Sequence, residues 1–144
     1  MILVTGATGY IGRRLASLLL ERYSRKEILC LVRPTDGSRK EQTGRDNLRS
    51  LGLEICEADL LSAKGLSYLP KSPRIIFHLA SCTDTSAQDH SINDAGTKNL
   101  LEAVGPLGPG TQIVFTSSIT RSHFSFILVT LRFNIFWAPA LLHR

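Results

Sequence analysis

Apolar and polar positions alternate along this chain in blocks, each short enough to be one strand or one helix. Ile2 to Val4 is an uninterrupted apolar run, followed at once by TGATGYIG and then by Ile11, Leu15, Leu18 and Leu19 at helical spacing. Arg13, Arg14, Ser17 and Glu21 fall on the opposite face of that helix. Such a pattern predicts a strand, a glycine turn and a helix with one face on a sheet. Glu27 to Val32 is a second apolar run bounded by charge, as expected of a strand covered on both sides. Asp36 to Ser50 is polar, with few apolar anchors, and predicts a loop and an exposed helix. A third strand is predicted at Leu53 to Ala58 and a short helix at Ser62 to Leu69, ended by Pro70. The fourth strand is IIFHLA, Ile75 to Ala80, and a helix from Ser86 to Val104 stops at Gly105 and Pro106. Gln112 to Phe115 is the fifth strand and runs into Thr116, Ser117 and Ser118. Strands alternating with helices predict an α/β fold, a doubly wound parallel sheet of the Rossmann kind.

The glycine turn carries the first chemistry. Gly6, Gly9 and Gly12 recur every third residue. In this context they provide, in turn, a tight bend off the strand, space for a pyrophosphate beside the backbone, and close helix-to-sheet contact. The helix N-terminus adds free N–H groups and the positive end of its dipole. A dinucleotide is therefore the expected ligand. Its adenosine ribose is read at the end of the second strand, where Arg33 stands and no aspartate does, which favours NADP over NAD. A plain solvated strand-end arginine is the other reading of Arg33. Asp59 is expected to cap the next helix or to face adenine. Strand C-termini on one edge would bring Gly6, Arg33, Asp59, Ala80 and Ser118 to one crevice.

Composition narrows the partners. The chain has 144 residues, enough for one domain with a core and too few for a second, substrate-binding one. Its net charge of +5 is scattered, with no run of five basic residues, so nucleic acid is not an expected partner. Cys30, Cys56 and Cys82 share no metal spacing and sit in or beside apolar stretches; buried, reduced thiols and a cytoplasmic protein are expected. No metal site is expected, and His78, inside an apolar run, reads as a core histidine with a satisfied ring. No leader is expected at the N-terminus, because the glycine turn begins at residue 6 and no basic region precedes the apolar run.

In order, TGATGYIG, LVRP, ADL at Asp59, FHLAS, NDAGTKNLL and FTSS make residues 1–121 resemble the N-terminal half of an extended short-chain dehydrogenase/reductase, the NAD(P)-dependent epimerase/dehydratase group. The resemblance implies a Rossmann domain binding NADP or NAD, with Thr8, Tyr10 and Ile11 joining the glycines around the pyrophosphate. It places Asp59 and Leu60 beside adenine, and Leu79, Ala80 and Ser81 beside the nicotinamide ribose, with Asn93 supporting the cofactor from its helix. Ser118 would hydrogen-bond the substrate oxygen, and substrates would be small carbonyl compounds or sugar nucleotides. The family's acid/base pair, a Tyr-x-x-x-Lys helix, has no match: four residues after Tyr10, Tyr23 and Tyr68 stand Arg14, Glu27 and Ser72. Weak or absent turnover follows, with proton transfer commonly contributing about 10² to 10⁴ in rate. A non-catalytic NADP-binding module is the alternative function. Pairing of two copies through the helix ending at Val104 is possible on paper.

Residues 122–144 form an apolar tail without an acidic side chain. Two readings stand. In one, Val129 to Pro139 resembles the family's sixth strand and the Tyr-x-x-x-Lys segment is missing between Ser118 and Phe124, leaving an internally shortened or truncated domain. In the other, the tail is unrelated sequence. A membrane role is disfavoured, because Arg132 lies mid-stretch and costs roughly 2.5 to 3.5 kcal/mol at the centre of a bilayer.

Overall fold

The structure is a computed structural model that describes residues 1–35, 37–82, 90–118 and 126–132, the backbone alone at 117–118 and 126–132. Strand β1, Ile2–Thr5, is its axis: three of its four side chains are apolar and all four are fully buried. Parallel neighbours flank it. On one side lie β2, Ile28–Val32, and β3, Glu54–Glu57; on the other lie β4, Ile75–His78, and β5, Gln112–Ser118. The order is β3-β2-β1-β4-β5-β6, so the sheet reverses direction of winding between β1 and β4. At such a switch point a crevice opens beyond the strand C-termini.

Helices cover both faces, as doubly wound sheets require. Helix α1, Tyr10–Leu19, and helix α2, Arg39–Ser50, pack Ala16, Leu19 and Leu48 against Ile2, Val4, Ile28 and Cys30. Helix α3, Ala95–Val104, packs Leu100 and Val104 with Leu66 and Leu69 against Leu3, Leu29, Ile76 and Ile113. Each such side chain, fully buried, contributes roughly 1.5 to 3 kcal/mol from its apolar surface.

The expected elements are present, with informative shifts. The contact face of α1 is Gly12, Ala16 and Leu19 with Leu15 half-buried beside them, whereas Ile11 and Leu18 are exposed. Small residues, not the largest apolar ones, mark where this helix touches: a Cβ on Gly12 would stand 2.6 Å from the Ala7 Cα. The helix expected over Ser62 to Leu69 is one 3₁₀ turn, Leu66–Tyr68, entered through Gly65 at φ +80°. The helix expected from Ser86 is a 3₁₀ turn at Ser91–Asn93 followed by α3, and its first four residues lie outside the described ones. Cys30 is buried, and burial pushes its thiol up to about 12; Cys56 and Cys82 are only half-buried, against expectation. All three are free thiols.

Strand β6, Phe126–Arg132, lies earlier than the expected Val129 to Pro139 and runs antiparallel to β5, from Ser118↔Phe126 to Gln112↔Arg132. The reason is chain length. Seven residues separate the two strands, and a parallel return needs a dozen or more. Among the described residues no helix is long and apolar enough to cross a membrane.

Candidate cofactor site

The five parallel strands end on one edge, and β1 and β4 bring the glycine turn against the segment after His78. Gly6 has φ +65°, and a Cβ there would stand 2.7 Å from the Ala80 nitrogen and 2.8 Å from the Leu79 oxygen. A side chain is excluded by both conformation and space. On Gly12 a Cβ would strike the Gly6 carbonyl oxygen. Gly9 differs. Among the described residues the one atom within 4 Å of a Cβ there is the Gly6 oxygen, at 3.2 Å. Gly9 is the N-cap of α1, which has no side-chain cap and no acidic residue in its first turn. Among the described residues no side chain caps the N–H groups of its first turn, the kind of group that binds anions at helix starts. Tyr10 and Ile11 are exposed at this end.

A hydrogen-bonded seam fixes the two walls. The Ala80 N–H donates to Thr5 Oγ1 at 3.1 Å, which lies 2.8 Å from His78 Nδ1. His78 Nε2 lies 2.8 Å from Thr97 Oγ1, whose hydroxyl donates to the Asn93 carbonyl at 3.0 Å. With the Thr97 proton committed to Asn93, Nε2 must donate, and Nδ1 accepts from Thr5. His78 is therefore a neutral Nε2–H imidazole, in keeping with burial, which lowers its pKa to about 4. This is the satisfied core histidine expected. Among the described residues no metal-ligating cluster occurs.

Asn93 continues the seam. Its Oδ1 accepts from the Cys82 N–H at 2.8 Å and its Nδ2 donates to the Cys82 carbonyl at 3.0 Å. It sits in the 3₁₀ turn before α3, and its amide is spent on the loop after β4. Asn99, which sequence reasoning passed over, donates to the Leu60 carbonyl at 2.7 Å. The Leu60 side chain is buried in the core, so only its backbone is presented to the crevice edge. Asp59 caps no helix; Oδ1 accepts from the Leu61 N–H at 2.9 Å and closes a turn. That bond, with lesser help from Arg33, holds its carboxyl below the usual carboxylate range. Leu79 is half-buried and Ser81 exposed along the same loop. Ser118 ends β5 three positions beyond Phe115, the partner of His78.

Arg33 stands exposed just after β2, 3.9 Å from Glu41 Oε2. Behind it lies a residue no sequence signal marked. Arg45 of α2, 2% exposed, donates from one guanidinium nitrogen to the Glu57 carboxylate and from the other to the Arg33 carbonyl. Beside it, Gly44 is so close to Thr8 that a Cβ would stand 2.7 Å from the Thr8 oxygen. Thr8 is thus covered by α2. A hollow of about 350 Å³ lined by Leu18, Tyr23 and Phe77 lies at the far end of α1, away from the glycine turn, so volume does not locate the site.

The NAD dependent epimerase/dehydratase family matches residues 2–122. The chain belongs to that family. Among its relatives are CDP-paratose 2-epimerase of Salmonella typhi, 33% identical over 132 residues, and cinnamoyl-CoA reductase 1 of Petunia hybrida, 34% identical over 122. These matches cover 81% and 83% of this chain but 36% and 35% of the relatives, so this family member spans about a third of their length. Among solved structures, gox2253 is 34% identical with a TM-score of 0.57, covering 72% of this chain and 30% of that one. An NADPH-dependent quinone oxidoreductase of Escherichia coli, solved with NADPH, shares the fold at 19% identity and a TM-score of 0.55, covering 72% and 32%. Fold and family agree with the Rossmann reading of the sequence.

Proposed function

We propose that these 144 residues form the dinucleotide-binding part of an NAD(P)-dependent oxidoreductase or epimerase, prefer NADP(H), and are weakly active or inactive in this form. The observation that carries the reading is the pair Gly6 and Gly9. Gly6 seats the turn against Ala80 by excluding any side chain, and Gly9 starts α1 with no side-chain cap on its N–H groups among the described residues. Residues Gly9, Tyr10, Ile11 and Gly12 would hold the pyrophosphate, with Thr8 behind them. Arg33 would meet the adenosine ribose and its 2′-phosphate, Asp59 and the Leu60 backbone the adenine, and Leu79, Ala80 and Ser81 the nicotinamide ribose. Asn93 acts by holding the Cys82 loop. A nicotinamide held there would be the hydride donor or acceptor of the reaction. Ser118, at the end of β5, would serve as the hydroxyl for a substrate oxygen.

Calorimetric titration with NADPH and NADH at moderate salt tests this. Micromolar NADPH binding, weakened by Arg33→Ala toward that of NADH, is expected; no heat from a folded sample with either cofactor defeats it. The second reading, a non-catalytic cofactor-binding module, is favoured by one observation: no tyrosine here is followed four positions later by lysine. Single-turnover assays with NADPH and a panel of carbonyl compounds separate the two, since chemistry abolished by Ser118→Ala would rule out the non-catalytic module.

A further inference from the structure

α2 is the most polar of the three helices, yet its inner face holds a fully buried arginine, and this asks for an explanation. Three contacts from that face converge on the adenosine end of the crevice. Gly44 lies against Thr8 of the glycine turn. Arg45 joins the Arg33 carbonyl to the Glu57 carboxylate, tying the ends of β2 and β3. Glu41, one turn earlier, has a side chain 10% exposed and stands 3.9 Å from the Arg33 guanidinium. Arg33 is thereby gripped at both ends by one helix, its main chain by Arg45 and its side chain by Glu41. The Arg45 Nε is buried with no hydrogen-bond partner among the described residues. Burying a guanidinium with a donor left over is unfavourable, and for core packing alone an apolar side chain would serve better. A planar fork, however, holds a carbonyl and a carboxylate at once from two nitrogens in fixed geometry, which no apolar residue can do and which a lysine can imitate only from one nitrogen on a flexible stem.

We infer that Arg45 is a positioning residue for cofactor discrimination: it fixes the Arg33 main chain, and so the direction from which the Arg33 guanidinium meets a 2′-phosphate. The inference rests on the proposed role of Arg33. It acts through that residue, since Arg45 itself is shielded from any ligand. The pyrophosphate turn and the ribose-reading strand end are set by one rigid body, because Gly44 and Arg45 are neighbours on the same helix.

The test is the ratio of NADPH to NADH dissociation constants, by calorimetry on the full chain, for the parent protein, Arg45→Met, Arg45→Lys, Glu57→Gln, Arg33→Ala and the double variant Arg33→Ala/Arg45→Met. Arg45→Met is expected to shift the ratio about tenfold toward NADH, the size typical of residues coupled in one hydrogen-bond network. Arg45→Lys and Glu57→Gln should shift it less. In the Arg33→Ala background Arg45→Met should add nothing to the shift. A merely structural role would weaken both cofactors equally and leave the ratio in place, which would overturn the inference, as would additive effects in the double variant. A ratio that moves with Arg33 but not with Arg45 sinks this inference alone; one that moves with Arg45 but not with Arg33 sinks the Arg33 assignment and the route through it. Circular dichroism on each variant checks folding, and should Arg45→Met not fold, Glu57→Gln decides, since it leaves Arg45 in place and alters a half-exposed side chain.

Discussion

The centre of the crevice and its two flanks are built by different physics. At the glycine turn, geometry comes from absence: Gly6 and Gly12 are defined by backbone atoms that leave no room for a methyl group. At the β4 loop and the β2 end, geometry comes from polar atoms held out of water: the Thr5–His78–Thr97 seam and the Arg45 fork. The first kind is insensitive to pH and salt and intolerant of added atoms. The second kind tolerates shape changes better and responds to proton and charge.

The sharpest break in this contrast is Gly12→Val. Its added atoms meet the Gly6 carbonyl and the Ala7 backbone, so the helix must leave the turn, and a loss of about 3 to 5 kcal/mol is expected in urea unfolding. A loss below about 1 kcal/mol would show that the turn is loose.

His78 tests the polar side. Its folded pKa lies near 4, below the ordinary 6.5, so above the latter both folded and unfolded chains carry the neutral ring. As pH falls, the unfolded chain takes up a proton that the folded chain refuses, and stability drops by about 3 kcal/mol by pH 4. Unfolding midpoints of the parent and His78→Gln across that range should diverge, the variant showing the shallower slope; parallel curves would sink the assignment.

Glu57→Gln is next in size. Its carboxylate is half-exposed, so water shares the compensation of Arg45, and a loss of about 1 to 2 kcal/mol at neutral pH is expected in the same assay. No change would mean that the Arg33 carbonyl alone satisfies Arg45.

Gly9→Ala should alter stability least, by less than about 1 kcal/mol, because its one near neighbour among the described residues is an oxygen at 3.2 Å. Titration with NADPH should nevertheless show at least about tenfold weaker binding, since the methyl group would stand on the proposed pyrophosphate side of the turn. Unaltered binding would place the pyrophosphate elsewhere.

This contrast also explains what could be read in the chain beforehand. Spaced glycines are visible because nothing else fills their role, so the turn, its strand and its helix are plain from TGATGYIG. The buried strands are plain too, since a continuous apolar run such as ILCLV has one reading. Arg45 is invisible, because an arginine in RKEQTGRDNLRS looks like solvent-facing charge, and only folding brings Glu57 and the Arg33 carbonyl to it. Thr5 and Thr97 lie 92 residues apart in sequence and meet only through His78. The shifted face of α1 has the same root: periodicity weighs large apolar residues, of which Leu15 and Leu19 do pack inward, but the contact is centred on Gly12 and Ala16 and leaves Ile11 and Leu18 outside.

For a protein engineer, the β5–β6 hairpin sets where new chemistry can be grafted. Ser118 pairs with Phe126 at the crevice edge, whereas Arg132 pairs with Gln112 at the opposite one, a strand length of roughly 20 Å away. A helix inserted between Ser118 and Phe126 would start at the crevice edge; the same helix appended after Arg132 would start at the opposite end of the strands.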